Sequence, residues 1–154
     1  MPRTDALIVL AATWFGVGRL PFLPGTWGSA AALPLWWLLA QAGLAGYGAL
    51  VLGLAAAAVP ICGRAQKLLG RPDPPEIVLD EVVGQLLALA GASGSIGQII
   101  GGVLLFRLFD IVKPYPISWV DARVAGGLGI VLDDVLAGVG AGISLVVLCQ
   151  WLPL

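Results

Sequence analysis

Leu132–Leu152, LDDVLAGVGAGISLVVLCQWL, carries Asp133 and Asp134 at its start and no other charge. A helix of about 20 apolar residues crosses the ~30 Å of bilayer hydrocarbon, so this stretch reads as a membrane span with an acidic pair at one end. Working back along the chain, four more apolar segments cover approximately 27–43, 46–62, 77–92 and 96–112. Several are short for a crossing, so flanking residues must contribute. Residues 6–17, ALIVLAATWFGV, form a further short run behind Arg3, with no clear small-x-small cleavage site after it. It is expected to be an uncleaved short or re-entrant helix. Charged residues are 11% of the chain and mean hydropathy is +0.99, against roughly 25% charge in ordinary globular proteins. A soluble domain of 154 residues needs more polar surface than this. At these segment lengths only helices satisfy their own backbone in lipid. The expected fold is a polytopic membrane helical bundle, one domain over 1–154, with about five crossings plus a short N-terminal helix.

Basic residues orient the bundle. Arg3, Arg19, Arg64, Lys67, Arg71, Arg107, Lys113 and Arg123 all fall in alternate connections, and the 44–45 turn, the 93–95 turn and the end after Trp151 carry none. The positive-inside rule makes the charged side cytoplasmic, with the N-terminus in and the C-terminus out. Net charge is −1 without a basic run, so nucleic-acid binding is not expected. Cys62 and Cys149 fall on opposite faces in this topology and stay reduced, and the absence of histidine argues against zinc. Trp36, Trp37 and Trp151 lie near the expected interfaces as belt residues.

Six of the nine acidic residues are Asp80, Glu81, Asp110, Asp121, Asp133 and Asp134, gathered at the edges of apolar runs on the cytoplasmic side. Carboxylates at a membrane boundary are costly and need a partner. Near a helix N-terminus, one acid complements the dipole, worth ~0.3–1 kcal/mol. That accounts for one of each adjacent pair and leaves the other for metal or substrate. Asp110 closes a helix at its C-terminal end, where the dipole disfavours an anion. Its bland explanation is an ion cluster with Arg107 and Lys113, each three residues away.

Other motifs surround these acids. Asp73-Pro74-Pro75-Glu76 has the form of a capping box. Lys113-Pro114-Tyr115-Pro116 stiffens the turn toward Asp121. Gly126-Gly127-Leu128-Gly129 permits close backbone approach before Asp133, and such a loop can present N–H groups to a phosphate. Gly25-Thr26-Trp27-Gly28-Ser29 opens the first crossing, where Thr26 and Ser29 can donate to an anion or act as ordinary caps. Ala137, Gly138 and Gly142 form a small-residue seam for close helix packing. Histidine is absent, and neither cysteine sits in a nucleophilic loop followed by arginine. What remains is hard oxygen chemistry, with Mg²⁺ held by carboxylates and Arg and Lys for phosphate.

Four elements carry a family resemblance. Arg19-Leu20-Pro21-Phe22-Leu23-Pro24-Gly25-Thr26-Trp27-Gly28-Ser29 resembles P-x-x-P-G-T-x-G-S of bacterial phosphatidylglycerophosphatase A, and Ile77–Gly84 resembles its central D-E element. Phe106–Asp110, Lys113–Ile117 and Asp121 are similar to F-R-x-x-D-x-x-K-P-x-P-I-x-x-x-D. Gly126–Asp134 with Ala137-Gly138 is similar to G-G-x-G-I-x-x-D-D-x-x-A-G. The elements run in order from residue 19 to 138, nearly the whole chain.

The resemblance implies an all-α, multi-pass phosphatase of the bacterial inner membrane with its active site on the cytoplasmic side. It implies Mg²⁺-dependent hydrolysis of the terminal phosphomonoester of phosphatidylglycerophosphate, an anionic phospholipid, to give phosphatidylglycerol. Asp80, Glu81, Asp110, Asp133 and Asp134 would be metal ligands and catalytic carboxylates. Arg107, Lys113 and Arg19 would bind phosphate, with hydrogen bonds from Thr26 and Ser29, and Asp121 and Arg123 are second choices. No oligomeric state is implied. Two alternatives fit less well. A CDP-alcohol phosphatidyltransferase needs D-G-x-x-A-R and spaced aspartates, of which Asp121-Ala122-Arg123 mimics only a fragment. A small cation carrier places its ionisable groups near the midplane, often with repeats, and no repeat is visible here.

Overall fold

The computed structural model describes residues 2–152, and among them it contains seven α-helices and no strand. Helix α1 (Arg3–Ala12) is the short N-terminal helix, followed by a loop containing one 3₁₀ turn, Val17–Arg19. Then come α2 (Pro24–Ala40), α3 (Gly43–Leu69), α4 (Leu79–Ala88), α5 (Ile96–Val112), α6 (Ile117–Arg123) and α7 (Gly126–Trp151). Helices α3 and α7, of 27 and 26 residues, are long and apolar enough to cross a membrane. Their outward faces, and those of α2 and α5, expose Leu38, Leu52, Leu104 and Ile143, an apolar surface of the kind that lipid covers.

The segment expected to cross over 77–92 is built differently. Helix α4 has only ten residues, about 15 Å of rise, and gives way to turns before Ile96. It packs against α2, α3, α5 and α7, and eight of its ten residues are buried. Hydropathy registers such a helix as a span because it reports apolar content, not whether protein or lipid surrounds it. Stopping a helix here leaves carbonyls without a helical partner. Two aromatic side chains supply donors: Tyr47 Oη–H donates to the Leu86 carbonyl at 2.5 Å and Trp36 Nε1–H to that of Leu89 at 2.9 Å. Trp36 is therefore a buried donor and not a belt residue, whereas Trp37 and Trp151 are exposed as expected.

Glycines set the helix spacing. A Cβ on Gly138 of α7 would collide with the backbone of Gly84 on α4, and one on Gly127 with the backbone of Val59 and Gly63 on α3. The Gly126–Gly129 run is thus the first turn of α7, used for packing, and not a phosphate loop before the helix. As a result Asp133 and Asp134 lie two turns inside α7 and not at its start. Nor does the capping box form: Asp73 has φ 42°, α4 begins only at Leu79, and Glu76 pairs with Arg71. Cys62 and Cys149 are free, as expected.

These contacts separate permissible from forbidden glycine replacements. Gly138→Val should lower the thermal midpoint in detergent by an amount equivalent to ~2–3 kcal/mol or more of overpacking. Gly48→Ala, where an added Cβ meets nothing within 4 Å, should leave it unchanged or raise it. Equal midpoints for both variants would show that the α4–α7 crossing is not close-packed.

Candidate active site

Four helices and the loops at their ends enclose a cavity of ≈ 290 Å³. Helix α4 contributes Asp80 and Glu81, α7 contributes Ile130, Asp133 and Asp134, and the C-terminal half of α5 contributes Arg107 and Asp110. Lys113, just past α5, Leu23-Pro24-Gly25 at the start of α2, and the Asp73–Pro75 loop with Ile77 complete the wall.

Oxygens of Asp80, Glu81 and Asp134 all lie within 4.8 Å of one another. Asp80 Oδ1, Glu81 Oε2 and Asp134 Oδ1 are buried without a hydrogen-bond partner. A carboxylate oxygen stripped of water and given no donor costs several kcal/mol unless a cation compensates it. The donor set is all hard oxygen, and oxygens on opposite sides of an octahedral Mg²⁺ lie about 4 Å apart, so the group suits such an ion. The closing wall is equally tight: a Cβ on Gly25 would lie 2.7 Å from Arg107 Nη1 and against the Glu81 carboxylate. Only glycine lets α2 come this near.

The remaining predicted acids sit beside this trio with cations of their own. Arg107 Nη1 and Asp110 Oδ2 are 2.7 Å apart, an ion pair whose angle misses hydrogen-bond geometry, and Nε and Nη1 of Arg107 remain buried without an acceptor. Lys113 Nζ donates to Asp121 Oδ1 and to Asp133 Oδ2, both at 2.6 Å. The local ion cluster of Arg107, Asp110 and Lys113 is thus half realised, because Lys113 turns instead to α6 and α7. It does so from a left-handed backbone, φ 47°, as the C-cap of α5. Burial pulls the Lys113 ammonium toward neutrality, but the hydrogen bonds and charges of Asp121 and Asp133 outweigh that and raise its pKa.

Other expected ligands lie elsewhere. Ser29 is buried and its hydroxyl donates to the Gly25 carbonyl at 3.0 Å, so it acts within α2 and offers the cavity no free hydrogen. Thr26, Arg19 and Arg123 are exposed and do not line the cavity, and Asp121 reaches it only through Lys113. Asp73 is the acid that motif reading assigned to a helix cap and that lines the cavity instead. Partial burial raises its carboxyl pKa; Lys113 counters this, and Asp121 and Asp110 add to it. A signal was present in the two prolines after it, which hold an acid rigidly just ahead of Asp80.

Sequence comparisons identify the family. The family described as phosphatidylglycerophosphatase A matches residues 10–149. The chain belongs to the phosphatidylglycerophosphatase A family. Phosphatidylglycerophosphatase A of Escherichia coli (strain K12) is 38% identical over 144 residues, 92% of this chain and 84% of that protein. The Haemophilus influenzae protein of the same name is 37% identical over 94% of this chain and 90% of its own length. A Bacteroides thetaiotaomicron protein provisionally named phosphatidylinositol-3-phosphatase is 36% identical over 98% of both chains. No solved structure matches the chain.

Lys113 gives this site a pH signature. Because its folded pKa is raised, its stabilisation is complete below the ordinary lysine value of about 10.4 and is lost only as pH climbs through the raised one. Lys113→Met should lower the thermal midpoint by roughly 2–6 °C, equally at pH 7 and pH 9. A deficit that vanished by pH 9 would mean that Lys113 is already neutral there.

Proposed function

We propose that this protein hydrolyses the terminal phosphomonoester of phosphatidylglycerophosphate to give phosphatidylglycerol, with Mg²⁺, at the cytoplasmic face of the bacterial inner membrane. The observation that carries the reading is the unpartnered carboxylate trio of Asp80, Glu81 and Asp134 facing Arg107 across one small cavity. Family membership and the names of the relatives support the substrate. The relative named for a phosphoinositide phosphatase shares the reaction class, a phosphomonoester on a lipid headgroup.

In this reading Asp80, Glu81 and Asp134 hold the ion, which when bound neutralises phosphoryl charge and polarises the P–O bonds. The unpartnered N–H groups of Arg107 bind the phosphate oxygens, and Asp110 fixes the guanidinium. Lys113 adds positive charge on the far wall and holds Asp133 in place. A carboxylate of the set takes a proton from the attacking water as the water oxygen bonds to phosphorus, the bond from phosphorus to the glycerol oxygen breaks, and the carboxylate passes that proton to the leaving oxygen. Catalysis is then mostly positioning and charge neutralisation.

Topology follows the same reading. Helices α2, α3, α5 and α7 each cross, and a fifth leg consists of α4 completed by residues 89–95, sheltered by its neighbours. All eight basic residues then lie on the cytoplasmic side with the cavity.

Purified protein should release phosphate from phosphatidylglycerophosphate, lose the activity in chelator and regain it with Mg²⁺. Asp80→Asn, Asp134→Asn and Arg107→Met should each reduce kcat by about 100-fold or more. Full activity in both aspartate variants would refute the assignment of the site. Faster turnover of a phosphoinositide monophosphate would refute the substrate while leaving the reaction class intact.

A further inference from the structure

The cavity has two rims of opposite chemistry. On one side Asp73, Ile130 and Asp133 also line an adjoining recess of ≈ 180 Å³. That recess shares Gln66 and Gly126 with a groove of ≈ 310 Å³ that carries Arg64 and Lys67. Charged side chains therefore stand along this side, from the carboxylates to a pair of cations. On the other side stand Leu23, Pro24 and Gly25. Among the large apolar residues of the wall, Ile77 and Ile130 are buried, whereas Leu23 is 70% exposed. Phe22 beside it is 88% exposed, and Leu20 is exposed as well.

This apolar rim is held, not loose. Gly18 packs so closely on Glu76 and Val78 that a Cβ there would strike the Glu76 backbone. Gly18 N–H donates to Thr13 O at 3.0 Å, Leu20 N–H to Val17 O at 3.0 Å, and Val78 N–H ties Ala12 to the start of α4 at 3.0 Å. Phe22 and Leu23 both adopt left-handed backbone, φ 62° and 50°, a conformation that bulky L-residues rarely hold. Adjacent apolar side chains kept outward on a strained, anchored loop at a cavity mouth need an apolar partner from outside the chain. Arg19, four residues before Leu23, is exposed and makes no ion pair among the described residues. It supplies a cation next to the apolar rim, the complement of a lipid phosphodiester.

We propose that Phe22 and Leu23 form a portal that seats the diacylglycerol end of the lipid substrate, so that the headgroup enters the cavity sideways from the bilayer. Water and inorganic phosphate use the opposite rim, which carries the charged residues. The proposal rests on the lipid-phosphatase reading above and adds where the lipid is held.

The test compares phosphatidylglycerophosphate bearing long acyl chains in mixed micelles with a dibutyryl analogue of the same headgroup free in solution. For Phe22→Ser/Leu23→Ser, the long-to-short ratio of kcat/KM should fall by about tenfold or more, chiefly through KM. Phe22→Leu/Leu23→Met, which keeps the rim apolar, should retain the wild-type ratio. An unchanged ratio in the serine variant, or equal losses on both substrates, would overturn the portal. So would an unchanged ratio with a smaller particle mass in detergent, which would make the rim a contact with a second copy. Wild-type inactivity on both substrates would instead overturn the proposed function, and the portal with it.

Discussion

The contact on which the structure turns is the crossing of α4 and α7 at Gly84 and Gly138. Each glycine lies four residues, one helical turn, after an acid: Gly84 after Asp80 and Gly138 after Asp134. Residues four apart share a helix face. Bringing the two backbones together at the glycines therefore brings the two carboxylates together one turn below. Larger residues at the crossing would push the helices apart and dissolve the acidic cluster. The seam of small residues and the pair of acids are one device: dispersion and close packing along the apolar part hold charges that repel each other at the end.

That repulsion defines the electrostatics of the site. The cavity wall carries Asp73, Asp80, Glu81, Asp110, Asp133 and Asp134 against only Arg107 and Lys113. Each cation is already engaged, Arg107 with Asp110 and Lys113 with Asp121 and Asp133. The trio of Asp80, Glu81 and Asp134 is left uncompensated, and buried charge without a partner is strongly destabilising. A divalent cation held by the trio would resolve the imbalance and prepare the cavity for an anionic phosphate. It would also account for the bracing of the two basic side chains by acids, since a free lysine or arginine would collapse onto the trio and occupy its place.

Much of this was legible in the chain. The acids stand out because almost nothing else is charged, and Asp80, Glu81, Asp110, Asp133 and Asp134 do converge on one cavity. The small-residue seam was visible as well. Features that depend on three-dimensional surroundings were not. The brevity of α4 was hidden because a buried helix and a lipid-facing helix are equally apolar. Asp73 resembled a cap because its spacing to Glu76 fits one, yet its left-handed backbone and the pairing of Glu76 with Arg71 divert both residues. Ser29 has the hydroxyl expected of a phosphate donor, but a serine inside a helix finds the carbonyl four residues back first.

Strain is distributed in a way that connects these misreadings. Among the described residues, six non-glycine residues have positive φ: Trp14, Phe15, Phe22, Leu23, Asp73 and Lys113. Leu23, Asp73 and Lys113 line the cavity, and Phe22 is next to Leu23 in the chain. Such conformations cost on the order of 1–3 kcal/mol each and persist only where the surroundings fix them. Here the helices provide that fixing: α4 and α7 are locked at their glycines, and the loops at the helix ends must adapt to a cavity whose floor cannot move. The division of labour is physical. Rigid helices set the distances between carboxylates, while strained loop residues turn a lysine inward, an aspartate to the rim and two apolar side chains outward. A site that joins a charged headgroup to an apolar tail needs both kinds of residue within a few ångströms of each other, and regular helix faces alone would not place them there.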